Sequence, residues 1–89
     1  MKNVLDGVKK IIKENKIMTR ARIRLDTMSD IQKFVEVMSR INDRVWLEDG
    51  EGCRVSAKSL LGAIYSLEWD EIYCYCNSDI AGHLIPWII

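Results

Sequence analysis

The sequence predicts an α+β domain of two layers, in which helices cover one face of a small, mainly antiparallel sheet. Apolar residues recur at helical spacing in several segments, while apolar and polar residues alternate in others, as they do in half-buried strands. An Asp-Gly turn at residues 48–52 is typical of a hairpin between two of these strands. With 89 residues, of which 48% are hydrophobic and 29% charged, the chain has the size and composition of one folded domain.

The first element predicted is an amphipathic helix over residues 2–15, appended to the domain proper. Its apolar positions follow the i, i+1, i+4, i+7, i+8 spacing of one helical stripe: Val4, Leu5, Val8, Ile11 and Ile12. We therefore divide the chain into residues 1–20, an N-terminal amphipathic helix, and residues 21–89, the domain. The stripe is expected to be buried in the place that a longer C-terminal helix would fill, over the aromatic face of the sheet, or against another chain.

Four strands are predicted in the remainder. Alternation favours strands at 22–25, 45–47, 53–55 and 72–76, the middle two joined by the Asp-Gly turn. Cys74 and Cys76 share one face of the last strand with Ile72. Side chains two residues apart on a strand are about 6.5–7 Å apart, too far for a relaxed disulfide, so buried core thiols are expected.

Three helices are predicted between and after these strands. Helical spacing covers residues 29–41, which Thr27 or Ser29 would cap, and residues 60–67, which Ser59 would cap. A last short helix begins near residue 78 and is ended or kinked by Pro86. From residue 22 the expected order is therefore β-α-β-β-α-β followed by a helical stub.

The segment 49–76 resembles the HPr phosphocarrier family of the bacterial sugar phosphotransferase system. The string Lys58-Ser59-Leu60-Leu61-Gly62 matches the family's Lys-Ser-apolar-apolar-Gly motif between a strand and a short helix, and KFVEVMSRINDRVWL (33–47) resembles its first helix and second strand. The likeness covers about residues 22–85. It implies an open-faced sandwich of four antiparallel strands with three helices on one side, here with an extra N-terminal helix and a shortened C-terminal one.

The family's phosphoryl-accepting loop is altered in this chain. An ungapped match places Thr27 where the family carries its phosphoryl-accepting histidine, and Ser29 and Asp30 where it carries arginine and proline. A threonine hydroxyl flanked by acidic residues lacks both the nucleophilic ring nitrogen and the nearby cation that this chemistry needs. We therefore expect a protein that is neither an enzyme nor a histidine phosphocarrier, with Thr27 serving as a helix cap.

The resemblance implies a second site, a regulatory serine at Ser59. In Gram-positive members this serine is phosphorylated by a partner kinase, and the phosphorylated form binds a transcription factor. Lys58, Leu60 and Leu61 would then form the adjoining docking surface, and a phosphate at a helix start would meet free N–H groups. The alternative is that Ser59 is an ordinary N-cap.

A basic and aromatic surface is expected on the sheet face that no helix covers. Its residues are Arg22, Arg24, Trp46, Arg54, Tyr73 and Tyr75. Three interpretations stay open: arginine stems and rings that cover one another through cation–π contacts of about 0.5–1 kcal/mol each, a self-association face, or a platform on which RNA bases stack.

The distribution of charge and the number of cysteines limit the classes of function that the sequence allows. Residues 1–24 carry eight basic and two acidic residues, a net of +6, and residues 25–89 carry a compensating −6. Three cysteines and one histidine, His83, make no metal-site pattern, and no stretch is apolar enough to cross a membrane. We predict a cytoplasmic regulatory module without metal or cofactor that binds a protein partner, with a homodimer and a nucleic-acid-binding domain as the alternatives.

Overall fold

The computed structural model describes the backbone of residues 8–13 and 16–89 and the side chains from residue 18 onward. Its elements are β1 Val8–Lys13, β2 Lys16–Ile23, α1 Met28–Ser39, β3 Val45–Glu48, β4 Arg54–Ser56, α2 Leu60–Tyr65, β5 Ile72–Cys76 and α3 Ala81–Leu84. Short 3₁₀ turns follow α2 at Ser66–Glu68 and α3 at Ile85–Trp87. From β2 onward the predicted order of strands and helices is confirmed, including the short last helix.

All five strands form one antiparallel sheet in the order β1-β2-β5-β3-β4. The four predicted strands therefore join a single sheet, and the α+β class is confirmed. The β3–β4 hairpin closes through Gly50 and Gly52, whose φ angles of 84° and 103° suit glycine, which has no Cβ to clash. Asp49 accepts hydrogen bonds from the N–H groups of Glu51 and Cys53 and fixes this turn.

The predicted N-terminal helix is wrong for residues 8–13, which form the edge strand β1. Its register pairs Val8 with Ala21 and Lys13 with Lys16, so β1 and β2 form a hairpin. A short segment rich in β-branched residues can fit both a helical and a strand pattern. It forms a strand here because the edge of β2 has backbone N–H and C=O groups with which a further strand can pair. Residues 2–7 and 14–15 of the predicted helix lie outside the described residues. β2 begins at Lys16 rather than at the predicted residue 22, so it crosses the predicted boundary between residues 20 and 21.

The core lies between the sheet and the helices. Its strand residues come from alternate positions, and α1 contributes Ile31, Phe34 and Met38. The ring of Phe34 meets that of Trp87 edge-on, with centroids 5.2 Å apart. Cys74 and Cys76 are buried and free, as predicted. Because the helices occupy this face, the opposite face of the sheet stays uncovered within the described part of the chain.

One polar side chain in this core ties the C-terminal segment to the sheet. Thr19 in β2 is fully buried, donates to the carbonyl of Ser78 at 2.9 Å and accepts from the N–H of Ile80 at 3.1 Å. Among the described residues, no helix is long and apolar enough to span a bilayer.

Candidate binding surfaces

Thr27 caps α1, as predicted for this position. Its hydroxyl accepts from the N–H of Asp30 at 3.0 Å, and the Asp30 carboxylate accepts in return from the N–H of Thr27 at 3.1 Å and of Asp26 at 3.2 Å. This is a complete capping box. The backbone N–H groups of Thr27 and Asp26 stabilise the carboxylate and lower the pKa of Asp30.

No imidazole lies beside Thr27. The single histidine, His83, lines a groove with Arg40 and Ile41 at the carboxyl end of α1, whereas Thr27 lies at the amino end. The loop therefore contains a threonine hydroxyl that caps the helix and a carboxylate that accepts two backbone hydrogen bonds. This arrangement offers no activated nucleophile.

Ser59 caps α2 and is half-buried. Its hydroxyl accepts from the N–H of Gly62 at 3.1 Å. A side chain at Gly62 would lie 3.1 Å from the carbonyl oxygen of Ser56, so glycine lets the helix approach the end of β4. Lys58 does not face Ser59, because its ammonium group donates to the carbonyl of Ile41. Of the residues predicted for the docking surface, Lys58 therefore binds another part of the fold, whereas Leu60 and Leu61 are exposed.

Apolar exposure is concentrated on α2 and the turn after it. Four of the seven large hydrophobic residues that are exposed in the described chain lie between residues 60 and 67: Leu60, Leu61, Tyr65 and Leu67. Leu61 is 80% exposed, and Tyr65 lies one helical turn further on, on the same side of the helix. We call these four residues the α2 apolar surface.

The uncovered sheet face carries the predicted aromatic residues in two rows across the strands. The first row pairs Arg22 with Tyr73, Tyr73 with Glu48 and Glu48 with Arg54. The second row pairs Arg20 with Tyr75 and Tyr75 with Trp46. Directly paired residues share a face of an antiparallel sheet, so the three rings are neighbours.

Arginines lie over all three rings of this face. The guanidinium of Arg20 is 4.0 Å from the centre of the Tyr73 ring. That of Arg54 lies between two rings, 5.2 Å from Trp46 and 5.3 Å from Tyr75. The cation–π contacts of the first interpretation are therefore present, each worth about 0.5–1 kcal/mol on an exposed surface, and they leave the other two interpretations open.

Two carboxylates neutralise part of the positive charge. Glu48 accepts two hydrogen bonds from Arg54, the shorter 2.8 Å, and Glu71 lies 3.8 Å from Arg22. Glu71 also accepts from the Tyr73 hydroxyl at 2.6 Å, and this hydrogen bond to a carboxylate raises the pKa of Tyr73. In the part of the chain with described side chains, no carboxylate forms an ion pair with Arg20.

The sequence prediction of this face was right for five residues and missed a sixth. Arg22, Trp46, Arg54, Tyr73 and Tyr75 lie together as expected. Arg24 is beyond the end of β2, and its guanidinium is 4.0 Å from the Asp26 carboxylate. Arg20 was missed because the strand was predicted to begin at 22; the alternation of Arg20, Arg22 and Arg24 with Ala21 and Ile23 was the available signal.

Cys74 and Cys76 are side chains of the core. Burial, the neighbouring Cys76 and the charge of Glu48 raise the pKa of the Cys74 thiol, which therefore stays protonated. Across residues 18–89 no cluster of His, Cys, Asp and Glu has the arrangement of a metal site.

Comparison with known proteins found no matching family model, no matching curated protein and no matching solved structure. The likeness to HPr proteins therefore remains an interpretation of the sequence. The two surfaces described above, one apolar on α2 and one basic and aromatic on the sheet, are the features on which a function can be argued.

Proposed function

We propose that this protein is a non-catalytic, HPr-like regulatory module that binds a partner protein through the α2 apolar surface and carries no phosphoryl group on histidine. The observation that carries the proposal is that Leu61 and Tyr65, which lie one turn apart on α2, are both exposed. Ser59 caps this helix. The partner would offer an apolar pocket for this pair of side chains. Ser59 is the position at which a partner kinase would regulate the contact.

Three features support this function over an enzymatic one. The acceptor loop holds Thr27 in a capping box, and His83 lies at the other end of α1. The described cysteines are free, two of them buried, which suits a reducing cytoplasm. Burying a leucine as exposed as Leu61 is worth about 1.5–3 kcal/mol, enough for one side chain to decide an interaction.

The experiment is affinity capture from a lysate of the source organism, followed by binding measurements with the purified partner. Leu61→Glu places a charge on the α2 apolar surface, and Gln32→Glu places the same charge on the exposed side of α1 as a matched control. We expect a protein that wild type and Gln32→Glu retain and that Leu61→Glu binds at least about tenfold more weakly. Equal binding by all three variants would contradict the proposal.

Ser59→Asp tests the regulatory part separately. Aspartate caps helices as well as serine does, so the stability of this variant should stay close to wild type while the charge at the position changes. A changed affinity for the captured partner supports regulation at Ser59, and an unchanged one limits Ser59 to capping.

The absence of phosphocarrier activity has its own test. Incubation with enzyme I and phosphoenolpyruvate should leave the protein unlabelled, because no imidazole is present in the acceptor loop. Label on Thr27 or His83 would overturn this part of the proposal.

A further inference from the structure

We propose that the uncovered sheet face is a binding site for single-stranded nucleic acid, in which successive bases stack on Tyr75 and Trp46 while Arg20 contacts the phosphates. This site is distinct from the α2 apolar surface and does not depend on the function proposed above. The proposal rests on the juxtaposition of two neighbouring rings with an arginine that has no acidic partner among the described side chains.

In the second row of the face, two aromatic residues are followed by basic ones, as a ligand with planar bases and negative phosphates requires. Trp46 and Tyr75 are directly paired on β3 and β5, and Tyr75 is paired with Arg20 on β2. The register continues the row to Lys9 on β1, the strand whose sequence is VKKIIK. Two aromatic rings are therefore followed, along one line across the sheet, by positions of basic residues.

The carboxylates of the face belong to the first row and leave the second row free. Glu48 binds Arg54, and Glu71 binds Arg22 and the Tyr73 hydroxyl. At the same end of the face, Asp49, Glu51 and Asp70 line a groove with Arg20 and Tyr73. This acidic border repels phosphate, so a bound strand would keep to the side of Tyr75 and Trp46, and the Arg20 side chain would turn from Tyr73 towards Tyr75, its partner in the register, to contact the phosphates.

The arginines over the rings do not block this use of the face. Arg54 lies more than 5 Å from the centres of both Trp46 and Tyr75, and its own side chain is partly exposed. A base stacked on an aromatic ring gains more than an exposed cation–π contact provides, so a nucleotide displaces the guanidinium. The displaced group can itself stack on a base or contact a phosphate.

Charge and ring chemistry together favour nucleic acid over a protein partner at this face. An acidic protein could bind the arginines, and apolar side chains could pack on the rings, but such a partner needs no row in which basic positions continue directly from two paired rings. A second copy would bring two basic rows together. Nucleic acid supplies both planar bases and negative phosphates.

The test is fluorescence anisotropy with labelled oligonucleotides of about ten nucleotides, oligo(U), oligo(dT) and oligo(dU), at several salt concentrations. Tyr75→Leu with Trp46→Leu removes both rings and keeps apolar side chains. Tyr65→Leu removes an exposed ring on α2 and is the matched control. Arg20→Gln removes one charge and keeps the rings. Circular dichroism melting establishes that each variant is folded.

We expect the double variant to weaken binding at least about tenfold and the control to change it less than about twofold. Arg20→Gln should reduce the slope of log Kd against log salt by roughly 0.7, the value of one phosphate contact on a single strand. A preference for oligo(U) over both oligo(dT) and oligo(dU) supports RNA as the ligand, because only the 2′-hydroxyl distinguishes oligo(U) from oligo(dU). The absence of binding to any of them, or equal binding by wild type and the double variant, overturns the proposal. A dimer that the double variant dissociates, without oligonucleotide binding, assigns the face to self-association and also overturns it.

Discussion

The two faces of the sheet differ in what their side chains do. On the covered face, strand residues such as Leu47 and Cys74 are fully buried in the core to which α1 and α3 also contribute side chains. On the uncovered face, the same strands carry arginines over aromatic rings, with partners that are exposed to solvent. Alternate residues of one strand therefore contribute to the core or to an exposed surface, because successive side chains point to opposite faces. This division predicts large stability effects on the covered face and small ones on the other.

The largest expected loss of stability follows from Phe34→Ala. Phe34 is fully buried in α1 and meets Trp87 edge-on, so the substitution leaves a cavity at the centre of the core. We expect the free energy of unfolding to fall by about 3–5 kcal/mol. Urea denaturation measures it, and a loss below about 1 kcal/mol would mean that the helices do not pack on the sheet as described.

A smaller loss is expected from Thr19→Val, a polar change on the covered face. Valine has nearly the same shape but neither donates to the Ser78 carbonyl nor accepts from the Ile80 N–H. Leaving these buried groups unpaired costs about 1–3 kcal/mol. The same urea experiment tests this, with amide hydrogen exchange at Ile80 as a local measurement. Unchanged protection of that amide would contradict the two hydrogen bonds.

The capping box predicts a pH-dependent contribution at the start of α1. Because the pKa of Asp30 is lower in the folded protein than its ordinary value of 3.8, its carboxylate stabilises the fold above that value. The contribution is lost as the pH falls through 3.8 toward the lower folded pKa. The difference in unfolding free energy between wild type and Asp30→Asn should therefore shrink between about pH 6 and about pH 3. A difference that does not change with pH would exclude a capping role for the charge.

The smallest effect is expected on the uncovered face, from Arg54→Gln. This substitution removes the ion pair with Glu48 and the contacts over Trp46 and Tyr75. Exposed ion pairs and cation–π contacts are each worth about 1 kcal/mol or less, so urea denaturation should show a loss near or below about 1 kcal/mol. A loss as large as that of Phe34→Ala would mean that this face belongs to the core and is not available for binding.

Much of this architecture could be predicted from local patterns in the sequence. Alternation placed the strands around Leu47 and Cys74, and capping residues placed the starts of α1 and α2 at Thr27 and Ser59. Alternation and capping depend on residues that are neighbours in the sequence, so they can be read without knowledge of the tertiary structure.

The N-terminal segment could not be predicted in the same way. Val8, Ile11 and Ile12 fit a helical stripe, yet these residues lie in a strand because β2 has an open edge for them. Which edge of the sheet is open depends on how all of its strands are arranged, so the pattern of residues within one segment does not reveal it. The role of Arg20 was missed for the same reason, because its position over Tyr73 depends on how far β2 extends along β5.

The most direct test of the division between the two faces is a chemical-shift titration of the isotope-labelled protein with single-stranded oligo(U). We predict that the resonances of Arg20, Trp46 and Tyr75 move progressively while those of α1 and the α2 apolar surface stay in place. Shifts confined to residues 60–67, or no shifts at all, would contradict the proposal that the uncovered sheet face binds single-stranded nucleic acid.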